Sequence, residues 1–310
     1  MKIGIGVGDA IGRGGDLDDL LVQIEAAERD GFAAAWMANV FTHDALAVLT
    51  LAGRVTERIE LGTFVVPTYP RHPFALAQQA LTASAASRGR FTLGIGLSHR
   101  VVIENLLGLD YSKPVRHMRE YLSVLAPLLA GRNPQFRGAE YRVNAQLTVP
   151  DAPRPPILVA ALGPQMLRLA GQLADGTATW MGGARYLAET AVPAIRAAAA
   201  GVGRPAPRVV AGFPIAVTSD PAAARESAAR VFASYGRLPS YRAALDREGA
   251  QGPADVAIVG SEDEVVAQVR HLADIGVTDF NASIFPVDGD ATAVQRTYEM
   301  LAALARAEEV

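Results

Sequence analysis

The sequence predicts an α/β fold, a closed (β/α)8 TIM barrel with insertions, and three observations carry that prediction. Eight short apolar runs recur along the 310 residues, each followed by a longer stretch of helical periodicity. The runs are apolar on both faces, as parallel strands covered by helices must be. The length suits one barrel of about 250 residues carrying extra segments. An open doubly wound sheet is the structural alternative. The whole chain, 1–310, is therefore expected to form a single domain.

Each element has its own signal. Strand one is predicted at residues 2–7 (KIGIGV), and the amphipathic helix at 16–31 starts from Asp16, a capping residue. Strand two covers 33–39 with its helix at 45–53. Strand three covers 58–66, with its helix at 73–87. Strand four at 90–96 precedes a helix at 115–130. Strand five at 156–161 runs into a helix at 164–174, and strand six at 177–180 into one at 186–200. Strand seven at 209–217 is followed by helices at 221–235 and 262–275, and strand eight at 278–285 by the closing helix at 291–307. Two stretches break the rhythm, 132–154 and 236–257; both read as insertions. The second resembles a short helix inside a long connection and is a candidate lid, its competing reading being a solvated loop.

Composition removes whole classes of function. Lys and Arg (29) nearly balance Asp and Glu (32), so no basic field asks for nucleic acid. With no cysteine there is no disulfide, zinc thiolate or thiol nucleophile. The N-terminus lacks the apolar core of a signal peptide, and no apolar run is long enough for a membrane span. A cytoplasmic, soluble protein is expected, with no membrane partner.

Familiar motifs fail. In GIGVGDAIGRGG the third glycine of G-x-G-x-x-G is replaced by Asp9 after Gly4-x-Gly6 and by Leu17 after Gly12-x-Gly14, no placement fits, and in FTLGIGLSH it is replaced by His99. There is no Walker lysine, H-E-x-x-H pair or G-x-S-x-G elbow. The histidines, at 43, 72, 99, 117 and 271, are nowhere at metal-ligand spacing, so no metal site is expected. His43, His72 and His99 nevertheless each follow a predicted strand, at the barrel end where chemistry sits. LGTFVVPTYPRHP, residues 61–73, stiffens its loop with prolines where a plain turn would use Gly, Asn or Asp. ALGPQMLRLAGQLADG places Gly163 and Pro164 at a helix start, leaving the Gln165 and Met166 N–H groups free to hold a phosphate through donors and macrodipole. A plain strand-to-helix turn is the competing reading.

The ordered set LGT…P…RHP, LGIG.S, the helical REYLSVLAPLL and LGP..L.LAG..ADG resembles the bacterial luciferase-like superfamily, in its coenzyme F420-dependent branch, over nearly the whole chain. The resemblance implies a cis peptide at Phe64–Val65, in a bulge of Phe64, Val65 and Val66 that backs the coenzyme ring. It places Asn39, Val65 and Ser98 along the ring and ribityl chain, and Ala161 and Gly163 with Pro164, Gln165 and Met166 around the phosphate. It also implies a homodimer through the helices at 45–53 and 73–87, both apolar enough to bury an interface.

One departure matters. Members of this branch that oxidise sugar phosphates carry Asp-His after the second strand, where this chain has Asn39-Val40. Valine moves no proton, so that reaction is not expected. His43, whose ring Asp44 orients unless Asp44 instead caps the helix near Ala45, and His99, beside Ser98, become the candidate proton donors, with Tyr69 and Tyr111 next as donors to a substrate carbonyl or imine, while Trp36 and Met37 read as packing. The implied activity is hydride transfer from reduced coenzyme F420 to a C=C or C=N bond of a small organic substrate. An FMN-dependent two-component monooxygenase and a non-catalytic flavin- or deazaflavin-binding protein are the alternatives.

Overall fold

The computed structural model describes residues 1–8 and 15–308, so the glycine-rich segment beyond Gly8 lies largely outside the described residues. Eight strands close on themselves: β1 (Lys2–Val7), β2 (Ala34–Met37), β3 (Glu60–Thr63), β4 (Phe91–Gly96), β5 (Ile157–Ala160), β6 (Gly176–Trp180), β7 (Arg208–Val217) and β8 (Asp279–Ile284). Every neighbouring pair is parallel, and β8 returns to β1, which completes the barrel and excludes the open sheet. Around it lie α1 (Leu17–Arg29), α2 (Ala45–Val55), α3 (Pro73–Ala86), α4 (Pro114–Leu129), α5 (Pro164–Leu173), α6 (Val192–Ala200), α7 (Pro221–Val231), α8 (Pro239–Glu248), α9 (Glu262–Asp274) and α10 (Ala293–Glu308). Asp16 caps α1 in a reciprocal capping box with Asp19, and Ser261 does the same for α9 with Glu264.

Strand alternation decides what the barrel holds. Ile3, Ile5, Leu93, Ile95, Val159 and Phe213 face outward into the helix-packed core. The inward positions belong to a separate cluster of Ala34, Trp36, Leu158, Ala178 and Val210. Trp36 lies across the interior because its neighbours there are glycines: a Cβ on Gly62 would overlap its ring, and one on Gly4 would stand 2.7 Å from its Nε1.

The N-terminal end of the barrel is closed by charge. Arg208 at the start of β7 reaches Asp279 (2.5 Å) and Glu60 (2.8 Å); Glu60 also accepts from Thr92 (2.7 Å) and Lys2 (3.1 Å). Burial pushes the Glu60 carboxyl up, but Arg208, Thr92 and Lys2 hold it below the usual carboxylate range.

The two stretches that break the rhythm each carry structure of their own. The first forms a short hairpin, Phe136–Arg137 against Arg142–Val143. Its turn is held by Glu120 of α4, which accepts the N–H groups of Ala139 (3.0 Å), Glu140 (2.7 Å) and Tyr141 (3.2 Å). The second carries α8 and ends in a strand, Ile258–Gly260, that pairs with β7.

Candidate active site

At the C-terminal end of the strands, the turns after β2 to β5 carry the expected residues. After β2, the Asn39 Oδ1 accepts the Ala45 N–H (3.0 Å) and Asp44 caps α2 through the Ala47 N–H (3.0 Å). Asp44 also pairs with Arg71 of the next loop. Its carboxylate is thus engaged away from His43, and the expected orientation of His43 by Asp44 does not form. His43 is half-buried and makes no side-chain hydrogen bond, ion pair or ring contact with another described residue. His72, exposed, caps α3: its Nδ1 accepts the Phe74 N–H at 3.2 Å.

After β3 the Phe64–Val65 peptide is cis, where the resemblance placed it. Phe64 sits between Trp36 (6.1 Å between ring centres) and Trp180 (6.5 Å) and over Gly212 of β7. Val65 lies over the end of β4, where a Cβ on Gly96 would stand 2.6 Å from Val65 and 3.1 Å from Ala160. The bulge is accommodated by the absence of side chains on its neighbours. Val66, the third residue of the bulge, is fully buried and packs its side chain into the helix-facing core.

After β4 the chain turns at Ser98 in the left-handed region (φ +58°) and enters a π-helical segment, Val101–Leu106, that the sequence pattern did not mark. His99 is half-buried against the Tyr241 ring of α8 (5.8 Å), and burial lowers its pKa. Tyr111 places its hydroxyl 3.4 Å from the Ser98 carbonyl and stacks on Tyr69 (5.1 Å), which stacks in turn on His117 (3.9 Å, 5° between planes). His117 is buried and hydrogen-bonded to Thr68 Oγ1 (2.9 Å), and burial pushes its pKa down to about 4, so it is neutral near pH 7. Among the described residues the buried Tyr69 hydroxyl has no hydrogen-bond partner, which leaves it available as a donor.

After β5, Ala161 is buried, Gly163 occupies the cap position of α5 in extended conformation, and Pro164 and Gln165 are exposed. No side chain caps this helix, and nothing stands within 4 Å of where a Gly163 Cβ would lie. The N–H groups of the first turn, Gln165 and Met166, have no intrahelical acceptor. Met166 turns its side chain into the core while its backbone stays in that turn. Tyr186 holds the preceding residue, donating its hydroxyl to the Leu162 carbonyl at 2.5 Å.

These parts suit a planar ring system ending in a phosphate: a backstop at Phe64–Val65, aromatic walls, and an open helix start with room at Gly163. A separate cavity of about 360 Å3 lies between β1, β8, α1 and α10, lined by Val7, Gln23, Ser283 and Tyr298, away from these turns. Sequence reasoning left Tyr186, Tyr241 and Glu248 without roles and His117 unplaced. Only the tyrosine of the second insertion had a signal, an aromatic in a segment long enough to cover the mouth.

The luciferase-like monooxygenase family profile matches residues 1–279. An uncharacterised protein of Mycobacterium tuberculosis is 33% identical over 239 residues, 72% of this chain and 70% of that protein. A putative coenzyme F420-dependent oxidoreductase of the same species is 32% identical over 167 residues, 49% of this chain and 48% of that protein. In structure, the coenzyme F420-dependent tetrahydromethanopterin reductase of Methanopyrus kandleri matches over 97% of both chains with a TM-score of 0.78 and 22% identity, a likeness of fold. The eight-stranded barrel and a profile that spans nearly all of it make this chain a member of the luciferase-like monooxygenase family.

Proposed function

We propose that the chain is a coenzyme F420-dependent oxidoreductase that reduces a C=C or C=N bond of a small organic substrate. The observation that carries this reading is the uncapped α5 start at Gly163, on the same barrel face as the Phe64–Val65 bulge. Support comes from the relative whose name carries coenzyme F420. Bound here, the reduced deazaflavin would supply hydride, because it has carbon where a flavin has the N5 nitrogen.

The chain's own residues do the rest. Gln165 and Met166 N–H groups hold the phosphate, with the α5 dipole favouring its charge. Val65, seated over Gly96 and Ala160, backs the ring. The Tyr111–Tyr69–His117 stack forms a rigid wall that orients substrate and excludes water. His99, kept neutral by burial, is a poor proton reservoir near pH 7. An imidazole nitrogen of His43, unpartnered and half-buried, delivers the proton to the reduced atom.

The family profile bears the name monooxygenase, so FMN is the competing coenzyme, and it would use the same phosphate turn. Equilibrium titration by fluorescence decides between them: tighter binding of coenzyme F420 than of FMN is expected, and preference for FMN would replace the reductase with the monooxygenase. Association as a homodimer through α2 and α3 belongs to this reading, supported by Leu51 and Val55 on α2, 45% and 48% exposed. Among the described residues no helix is long and apolar enough to cross a membrane.

A further inference from the structure

The start of the helical run after β6, at residue 184, is treated in the opposite way to the start of α5. Its first N–H groups, on Arg185 (3.3 Å) and Tyr186 (2.6 Å), are taken by the carboxylate of Glu248, the last residue of α8. In return the Arg185 guanidinium donates to the Arg247 carbonyl at 2.6 Å. The fit is reciprocal. Gly183 (φ +79°) leaves the space that the Glu248 carboxylate fills, and Gly249 (φ +84°) leaves the space beside Arg185, where a Cβ would stand 2.8 Å from the guanidinium. A side chain at either glycine would break the latch on steric and backbone grounds together.

The latch leads to the phosphate turn in one step. Tyr186, whose N–H is held by Glu248, donates its hydroxyl to Leu162 O, between Ala161 and Gly163. Burial pushes this hydroxyl's pKa up to about 12, so it stays protonated and a donor at any working pH. The other end of α8 reaches the opposite side of the mouth. Tyr241, Ala244, Leu245 and Glu248 share one helical face, with Tyr241 about 10 Å from Glu248 along the axis. Ala244 and Leu245 are buried beneath that face, and Tyr241 meets His99 and Tyr235.

We infer that Glu248 and Tyr186 are positioning residues for the phosphate end of the coenzyme site: α8 is a strap that, latched at Glu248, fixes the Leu162 carbonyl and so the aim of the α5 N–H groups. Neither residue touches the phosphate in this account. The inference rests on the proposed phosphate role of the Gly163 turn. It predicts a ligand-selective defect, because a misaimed turn costs affinity only for a ligand that carries the phosphate.

The test is a fluorescence titration of the wild type, Glu248→Gln, Tyr186→Phe and the double variant with coenzyme F420 and with the deazaflavin riboside lacking the phosphate chain. Each single substitution, the loss of one to two hydrogen bonds, is expected to weaken coenzyme binding by about three- to tenfold and riboside binding by less than about twofold. The double variant should lose no more than the worse single, since both act on one path. Tyr186→Phe removes a single oxygen and guards against a folding failure in the other variant. Equal losses for both ligands, or none, would overturn the inference while leaving the coenzyme reading standing. A wild type that binds neither ligand would overturn both.

Discussion

The two ends of the barrel are built from opposite materials. At the N-terminal end, Arg208, Asp279, Glu60, Lys2 and Thr92 satisfy one another in a closed network. At the C-terminal end, groups are left without partners among the described residues: the Tyr69 hydroxyl has none, His43 none, and α5 no side-chain cap. Glycines and alanines occupy the inward strand positions there, and rings fill the space they leave. A network with every charge paired contributes to holding the barrel shut, whereas unpaired donors beside open space are what a ligand can satisfy. The difference teaches which end can be altered at the cost of stability and which at the cost of function.

The largest effect that would sharpen this contrast is at the closed end. Arg208→Met leaves Asp279 buried without its cation and Glu60 with Lys2 alone, and should lower unfolding free energy by about 3–5 kcal/mol in denaturant titrations. Coenzyme affinity of the folded fraction should not change; a parallel loss of affinity would break the separation between the ends. Next is the proton donor. His43→Ala should reduce turnover by roughly 10²-fold with coenzyme affinity retained, measured once a reducible substrate is in hand. Full turnover in that variant, with His99→Ala inactive, would move the role to His99.

Much of this contrast was legible before the structure. The eight strands lie within a few residues of their predicted places because apolar runs followed by helical periodicity, and a capping residue such as Asp16, are local signals. The insertion helix and the Gly163-Pro164 turn were local too. The Arg208–Glu60 contact was not, since it joins residues 148 positions apart. Its faint signal is a charged residue at the start of a strand, in phase with the inward face, repeated at Glu60, Arg208 and Asp279. The π-helical stretch at Val101–Leu106 and the Tyr69–His117 stack depend on tertiary packing that periodicity does not encode. Asp44 was open between orienting His43 and capping the helix near Ala45, because adjacency in sequence says nothing of which partner a carboxylate takes; it takes the cap, through the Ala47 N–H, and Arg71.

A smaller effect separates the ends by pH. The Glu60 pKa is held below its unfolded value, so its contribution is present above the unfolded pKa and is lost as pH falls through the folded one. Thermal melts should therefore lose stability on acidification below about pH 4, and Glu60→Gln should flatten that part of the profile. An unchanged slope in the variant would place the acid-sensitive group elsewhere.

The open α5 start gives the most direct test of the central claim, that the C-terminal end is built for a phosphorylated coenzyme. Gly163→Asp introduces a cap where the backbone is already extended and nothing stands within 4 Å of the new Cβ. Titration of this variant and the wild type with coenzyme F420, alongside their melting temperatures, reads both consequences at once. The account predicts a stability gain of about 0.5 kcal/mol from the cap and dipole, with coenzyme affinity falling at least about tenfold as the carboxylate takes the phosphate's place. Coenzyme affinity equal to that of the wild type, in a variant stabilised by its new cap, would contradict it.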